Sequence, residues 1–364
     1  MTIKNVTIIG AGTMGSGIAI ALAQKGCGVQ IVDISMDAID RALDRAQVFY
    51  ARQVEKGRMD EQLADTAHAL LSGSTDFEIA ANADLVIEAV FEDLDLKRET
   101  FDKLNDIVRE DAFLATNTSC LKVGDIAEAV DNPGRFLGLH YFSPAEISPL
   151  VEIVKGEETD TTTIEAMKAF CLDTGKQPLL CRDQNGFAVN RFFCPYTNEA
   201  VLLHEEGLGT TGQIDRVAKE AVGAAGGPFL VMNLVKPRIN LHAIQNISPL
   251  GAFYEPAKSM ITMGEAETEW VIEEGDGISS NDSTIQDRLR GAVFLAILDE
   301  LDEDVATPDD VDMGASLALK FSRTPCALMD NLGGAEVERL IQPICQRHEL
   351  ELPKSLSNVG KLCS

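Results

Sequence analysis

Four polar residues spaced along one stretch of the chain carry its most legible chemistry. Ser119 closes the run Ala-Thr-Asn-Thr-Ser, and His140 lies in Gly-Leu-His-Tyr-Phe-Ser-Pro. Glu152 lies in Pro-Leu-Val-Glu-Ile-Val and Asn190 in Gly-Phe-Ala-Val-Asn-Arg. A neutral imidazole takes the proton of a hydroxyl, while a carboxylate at its other nitrogen stabilises the imidazolium. Glu152 sits inside an apolar run, where a buried carboxylate is costly unless paired. The set suits oxidation of an alcohol, provided that a hydride acceptor binds nearby.

The N-terminus offers a place for one. Gly10, Ala11, Gly12, Thr13, Met14 and Gly15 form a turn between the first strand pattern and the first helix pattern. Glycine at 10 permits the tight turn, at 12 lets the backbone approach a pyrophosphate, and at 15 allows close helix–strand packing. The helix N-terminus adds free N–H groups and partial positive charge. Asp33 ends the second strand pattern 23 positions after Gly10, where an acid bonds an adenosine ribose and repels a 2′-phosphate. The expected cofactor is therefore NAD rather than NADP. Scattered cysteines and five histidines without ligand spacing give no metal site.

Strands and helices must alternate to position these residues. Apolar strand patterns fall at 3–9, 28–33, 84–90, 112–117, 135–141, 149–154 and 177–182, with helix patterns at 13–25, 36–56, 94–109 and 160–174. That alternation predicts a doubly wound, mainly parallel Rossmann-type sheet over 1–185. Helical runs such as 187–206 and 211–224 then take over. A shift of 97 superposes Arg191 on Arg288, Glu206 on Glu303, Thr210 on Thr307 and Asp215 on Asp312. The same shift carries Ala218 to Ala315, Ala221 to Ala318, Pro228 to Pro325 and Met232 to Met329. Eight matches in register argue for two tandem helical units, 186–263 and 286–364. Residues 264–287 hold eight acids and no Lys or Arg, and 264–285 is expected to be a solvated acidic linker.

Composition narrows the classes. The chain has 364 residues, 45% hydrophobic and 24% charged, as a folded globular protein does. A net charge of −27 argues against nucleic acid and anionic membrane as partners. No apolar run approaches the roughly 18 residues of a membrane span, and no signal peptide is evident at the N-terminus. Dispersed cysteines suit reduced thiols, so a cytoplasmic location is expected.

In order along the chain, Gly-Ala-Gly-Thr-Met-Gly-Ser-Gly-Ile-Ala, Thr-Asn-Thr-Ser, Gly-Leu-His-Tyr-Phe-Ser-Pro, Leu-Val-Glu-Ile and Gly-Phe-Ala-Val-Asn-Arg resemble the L-3-hydroxyacyl-CoA dehydrogenase family. The Tyr-Phe-Ser-Pro wording and the duplicated helical unit are most similar to the dehydrogenase part of multifunctional fatty-acid oxidation α subunits. The resemblance implies NAD-dependent oxidation of an L-3-hydroxyacyl-CoA, a step of fatty-acid β-oxidation. It assigns His140 as general base, Glu152 as its orienting partner, and Ser119 and Asn190 to the reacting oxygen. It also implies that Asn117 helps place substrate and nicotinamide, that Glu92 contributes around the cofactor, and that 186–263 is the substrate-closing unit. Arg41, Arg45, Arg52 and Lys56 lie within about 60° on a helical wheel. Arg52 and Lys56 are thereby candidates for docking CoA phosphates, beside which the family binds its nucleotide tail. Family members usually carry Gly-Pro-Phe-Glu-Leu-x-Asp and a following glycine, whereas 227–236 here read Gly-Pro-Phe-Leu-Val-Met-Asn-Leu-Val-Lys. The two helical units are expected to pair in cis, leaving any homodimer to another surface. The alternatives are an NAD-dependent dehydrogenase of a free hydroxy acid or hydroxylated amine, and a non-enzymatic NAD-binding protein.

Overall fold

A computed structural model describes residues 3–275 and 277–363. The chain passes from one compact unit to a second between Asp183 and Gln184. The first unit is built on eight strands: β1 (Asn5–Ile9), β2 (Gly28–Val32), β3 (Leu71–Ser74), β4 (Leu85–Glu88), β5 (Phe113–Thr116), β6 (Phe136–Tyr141), β7 (Leu150–Lys155) and β8 (Gln177–Arg182). They form one sheet in the order β3-β2-β1-β4-β5-β6-β7-β8. Every neighbouring pair is parallel except β6 and β7. Strands β4, β5 and β6 are buried along their whole length, which is why they read as apolar runs broken only near their ends, by Glu88, Thr116 and His140. The order reverses between β1 and β4, the switch point where open α/β sheets leave a crevice for ligands.

Helices α1 (Thr13–Ala23), α2 (Met36–Glu55), α3 (Glu61–Ala69), α4 (Leu94–Asn105), α5 (Val123–Ala127) and α6 (Thr161–Asp173) link the strands. Ser35, Asp60 and Asp93 cap α2, α3 and α4 through their side chains. Strand β3 was not expected. Its sequence, Leu-Ser-Gly-Ser, holds one apolar residue and lies half-exposed at the sheet edge, so no periodicity marks it.

The second unit is helical: α7 (Val189–Glu205), α8 (Thr211–Val222), α9 (Pro228–Val235), α10 (Pro237–Ile247), α11 (Lys258–Glu265), α12 (Asp282–Asp302), α13 (Pro308–Leu317), α14 (Pro325–Leu332) and α15 (Gly334–His348). The 97-residue shift reappears as repeated bonds. Thr210 and Thr307 cap α8 and α13 through their hydroxyls. Asp215 accepts from the N–H groups of Phe229 and Leu230, and Asp312 from those of Cys326 and Ala327. Helix α7 packs against α12. Arg191 pairs with Glu303, and Arg288 pairs with Glu206, which is the same bond with the copies exchanged.

The acidic segment after α11 is mostly exposed, yet it is not a free linker. Asn233 holds Trp270 by both amide ends, donating to its carbonyl and accepting from its N–H. Thr211 does the same between Val271 and Glu273, and Arg216 donates to the carbonyls of Gly275 and Gly277. An aspartate at 233 could not donate, so this departure from the family pattern matches a local need. The equivalent position in the second copy, Asp330, collects the N–H groups of Gly360, Leu362 and Cys363. Each copy thus uses one position to hold the segment that trails it.

Lys236, which ends α9, sits at φ 94°, whereas its counterpart Gly333 sits at φ 81°. A side chain in that region costs about 1–3 kcal/mol, while the exposed Lys236–Glu269 pair returns at most about 1. Lys236→Gly is therefore expected to raise Tm by about 2 °C, less whatever glycine adds to unfolded-chain entropy. Thermal denaturation checks it, and a lowered Tm would contradict the strain.

Candidate active site

The glycine turn, Asp33, Glu92, Asn117, Ser119 and His140 lie at or just beyond the carboxyl ends of β1, β2, β4, β5 and β6. Glu152 faces His140 from β7, whereas Arg52 and Lys56 lie apart at the C-terminal end of α2. Strands β6 and β7 run antiparallel with His140 directly opposite Glu152. Cross-strand neighbours share a face, so the two side chains meet. His140 Nδ1 lies 2.5 Å from Glu152 Oε2, and both residues are buried. Assigning the Nδ1 proton to that bond makes Nε2 the nitrogen that accepts a proton.

Asn117 follows β5 and is also buried. Its Oδ1 accepts the Tyr141 N–H at 2.9 Å, which ties the β5 loop to the strand bearing His140. That bond fixes the amide so that Nδ2, a donor, is the end left for a ligand. Two residues on, Ser119 is partly exposed. Its backbone is set by Glu92, in the loop between β4 and α4. One Glu92 oxygen accepts from the Thr118 hydroxyl at 2.6 Å, Ser119 N–H at 2.9 Å and Cys120 N–H at 3.0 Å.

At the dinucleotide turn, Gly10 has φ 109°, and a Cβ there would lie 2.5 Å from the Ala89 carbonyl oxygen. A Cβ on Gly15 would fall 1.9 Å from the Gly10 oxygen. Only glycine fits either place. At Gly12 an added Cβ meets nothing within 4 Å, and α1 begins there without a side-chain cap. That is the open, donor-lined cradle a pyrophosphate needs, so the residues present fit NAD. Asp33 accepts from Ala11 N–H at 2.8 Å and Ser35 N–H at 3.0 Å, which holds its carboxylate against the turn.

Several participants were not anticipated. Arg45, placed with Arg41, Arg52 and Lys56 on one basic face, turns inward. It donates to the Thr13 carbonyl, the Ser16 hydroxyl and Glu146, so it joins α1 to the loop after β6. Lys176 donates to the carbonyls of Ala145 and Ser148 in the same loop, and burial pulls its ammonium down to about 8. Arg52 and Lys56 are exposed, and neither forms an ion pair among the described residues. Asn190 is the second residue of α7, in the second unit, and is half-buried. Glu88 and Lys97, both fully buried, form an ion pair behind the Ser119 loop. The signal for Glu88 was available: a carboxylate inside an apolar strand, as for Glu152.

Residues 5–184 match the family described as 3-hydroxyacyl-CoA dehydrogenase, NAD binding domain, and residues 186–268 match its C-terminal domain. The mouse protein named hydroxyacyl-coenzyme A dehydrogenase, mitochondrial, is 35% identical over 267 residues, which span 71% of this chain and 85% of the mouse protein. The solved (S)-3-hydroxybutyryl-CoA dehydrogenase of Ralstonia eutropha superposes with TM-score 0.72 at 32% identity, over 75% of this chain and all of that one. The 3-hydroxybutyryl-CoA dehydrogenase of Escherichia coli K12 reaches TM-score 0.88 over 100% of this chain and 99% of its own. Its 24% identity speaks to fold alone, and that fold runs through both helical copies.

Proposed function

The chain belongs to the 3-hydroxyacyl-CoA dehydrogenase family, and from that premise we propose that it reversibly oxidises an L-3-hydroxyacyl-CoA to the 3-oxoacyl-CoA with NAD. The observation that carries the reading is the buried His140–Glu152 pair, held by strand register. Bound NAD supplies the hydride acceptor. His140 Nε2 removes the hydroxyl proton, and Glu152 balances the imidazolium. The Ser119 hydroxyl holds the reacting oxygen, Asn190 serves the same oxygen by the family's pattern, and Asn117 Nδ2 orients substrate and nicotinamide.

Turnover of NADH at 340 nm separates this reading from its rivals. Activity is expected on acetoacetyl-CoA and not on free 3-oxobutyrate. Equal activity on both would favour a dehydrogenase of free acids, and none on any 3-oxoacyl-CoA would sink the assignment.

Cofactor choice is assigned to Asp33, supported by its place at the end of β2 and by the two backbone bonds that hold its carboxylate against the glycine turn. NADH is expected to exceed NADPH strongly in kcat/KM, and Asp33→Ser to narrow the gap. Because Asp33 also holds the Ala11 N–H, KM for NADH should rise in the same variant. Equal values for the two cofactors in the unmodified protein would overturn the assignment.

Arg52 and Lys56 are read as the CoA-phosphate site, supported by their exposure on one face of a helix and by the lack of an ion pair to either among the described residues. Arg52→Glu with Lys56→Glu is expected to raise KM for acyl-CoA by about tenfold at low salt. An acyl-pantetheine, which lacks the nucleotide, should be spared. A parallel loss on both substrates would make these residues merely structural.

Residues 1–185 are read as the cofactor and base domain, 186–263 as the substrate unit and 286–364 as its second copy, joined through the acidic segment. The copies are read as partners in cis, supported by the exchanged Arg191–Glu303 and Arg288–Glu206 bonds, and any homodimer would use another surface. A reducing location such as the cytoplasm suits eight free thiols, seven of them buried. Among the described residues no helix is long and apolar enough to cross a membrane.

A further inference from the structure

Glu88 ends β4 in the middle of the sheet, between β1 and β5, and none of it reaches solvent. A lone carboxylate there would carry a large desolvation cost, so its partners define its purpose. Oε1 accepts from Val90 N–H and from Lys97 Nζ, each at 2.7 Å, and Oε2 accepts from the Thr116 hydroxyl at 2.7 Å. Lys97, on α4, is as buried as Glu88 and reaches onward to the second oxygen of Glu92 at 3.2 Å. The first Glu92 oxygen is the one that gathers Thr118, Ser119 and Cys120. A shorter route ends at the same loop: Thr118 N–H donates to Thr116 Oγ1, whose hydroxyl donates to Glu88.

Three donors converge on one Glu92 oxygen and the Lys97 ammonium on the other, which favours the ionised carboxylate, because a proton on Glu92 would have to displace one of these four donors. Burial pushes the Glu92 carboxyl up. The Lys97 ammonium and the bonds from Thr118 and Ser119 outweigh it and hold the group below the usual carboxylate range. The other titratable groups facing Glu92 are Glu88, across Lys97, and Cys120, whose thiol burial pushes up to about 11 and so keeps neutral. Lys97 is thus the one cation in contact with this carboxylate among the described residues.

We propose that Glu88 and Lys97 are a positioning pair for the Ser119 loop: Glu88 fixes the ammonium, the ammonium keeps Glu92 an acceptor, and Glu92 sets the backbone of 118–120. The proposal rests on the reading of Ser119 as a ligand of the reacting oxygen. Glu88 itself, sealed in the sheet, acts only through the others.

The test is the double variant Glu88→Gln, Lys97→Met, which removes the ion pair as a unit and so leaves no uncompensated partner between them. Glu92 then feels burial without the ammonium, and its carboxyl should titrate above the usual range. The expected result is kcat within a few-fold of the unmodified enzyme at about pH 9 and at least tenfold lower at about pH 6, through a new acid limb. Glu92→Gln, with nothing left to titrate, should be slow at both pH values and show no such limb. Should the double variant fail to fold, Lys97→Arg is expected to keep the unmodified profile and Lys97→Gln to gain the limb. A profile in the double variant or Lys97→Gln that matches the unmodified enzyme, or a loss equal at every pH, overturns the proposal. Glutamate δ-carbon NMR of the cofactor-free protein, with the Glu92 signal identified by its loss in Glu92→Gln, reads the same titration without substrate. The pair can therefore stand or fall separately from the reaction assigned to the site.

Discussion

Replacing His140 with Gln is expected to lower kcat by about 10²–10⁴, the usual weight of a positioned base, while NADH affinity changes little. The glutamine amide can still bond Glu152 but cannot accept the hydroxyl proton. Hydride would then leave an alcohol whose proton has nowhere to go. Glu152→Gln should also be damaging, because the amide can still accept from Nδ1–H but the imidazolium loses its counter-charge. In the proposed mechanism His140 and Glu152 act as one unit, so the double variant should be hardly slower than His140→Gln alone. Acetoacetyl-CoA reduction gives kcat, and quenching of NADH fluorescence gives affinity. Turnover like that of the unmodified protein in His140→Gln would end the assignment. Equal losses of kcat and of NADH affinity would mean that the residue shapes the cofactor site.

The His140–Glu152 pair was legible because both residues interrupt apolar strand patterns, and such polar residues need partners inside a core. The same logic applied to Glu88, in Asp-Leu-Val-Ile-Glu-Ala-Val, but its partner is a lysine nine residues on that looks like any surface helix cation. Only the packing of α4 against the sheet shows that Lys97 points inward. Arg45 escaped for the opposite reason. A helical wheel groups it with Arg41, Arg52 and Lys56, yet Glu146, which turns it inward, lies 101 residues away. Strands with apolar runs were visible, whereas β3 was fixed by pairing with β2 rather than by its own composition. The helical repeat was visible in identities. The matched roles of Asn233 and Asp330 were not, because different residue types do the equivalent work of holding a trailing segment.

Ending the chain near Gly264 is expected to yield protein that aggregates or dimerises. Helix α12 and everything after it would be lost, and α7 and α8 pack against α12. Glu199, whose side chain is 3% exposed, would lose both Arg288 and Arg347. Arg191, 1% exposed, would keep the Tyr254 ring and the Asn185 carbonyl but lose Glu303. Tyr196 would lose the Phe321 ring beside it. Each charge that stays buried without its partner costs about 3–5 kcal/mol, a large share of the roughly 5–15 kcal/mol that holds a protein folded. Newly exposed apolar surface adds to this, and nothing within the truncated chain can cover it. A second truncated molecule can, because the two copies are related in sequence and each offers the other its own kind of surface. On the reading that the copies pair in cis, a tethered copy would be at far higher effective concentration than any free partner in the full chain. Light scattering after size exclusion separates the outcomes. A monodisperse monomer with full activity and unchanged Tm would show that the second copy is dispensable and that the paired reading is wrong.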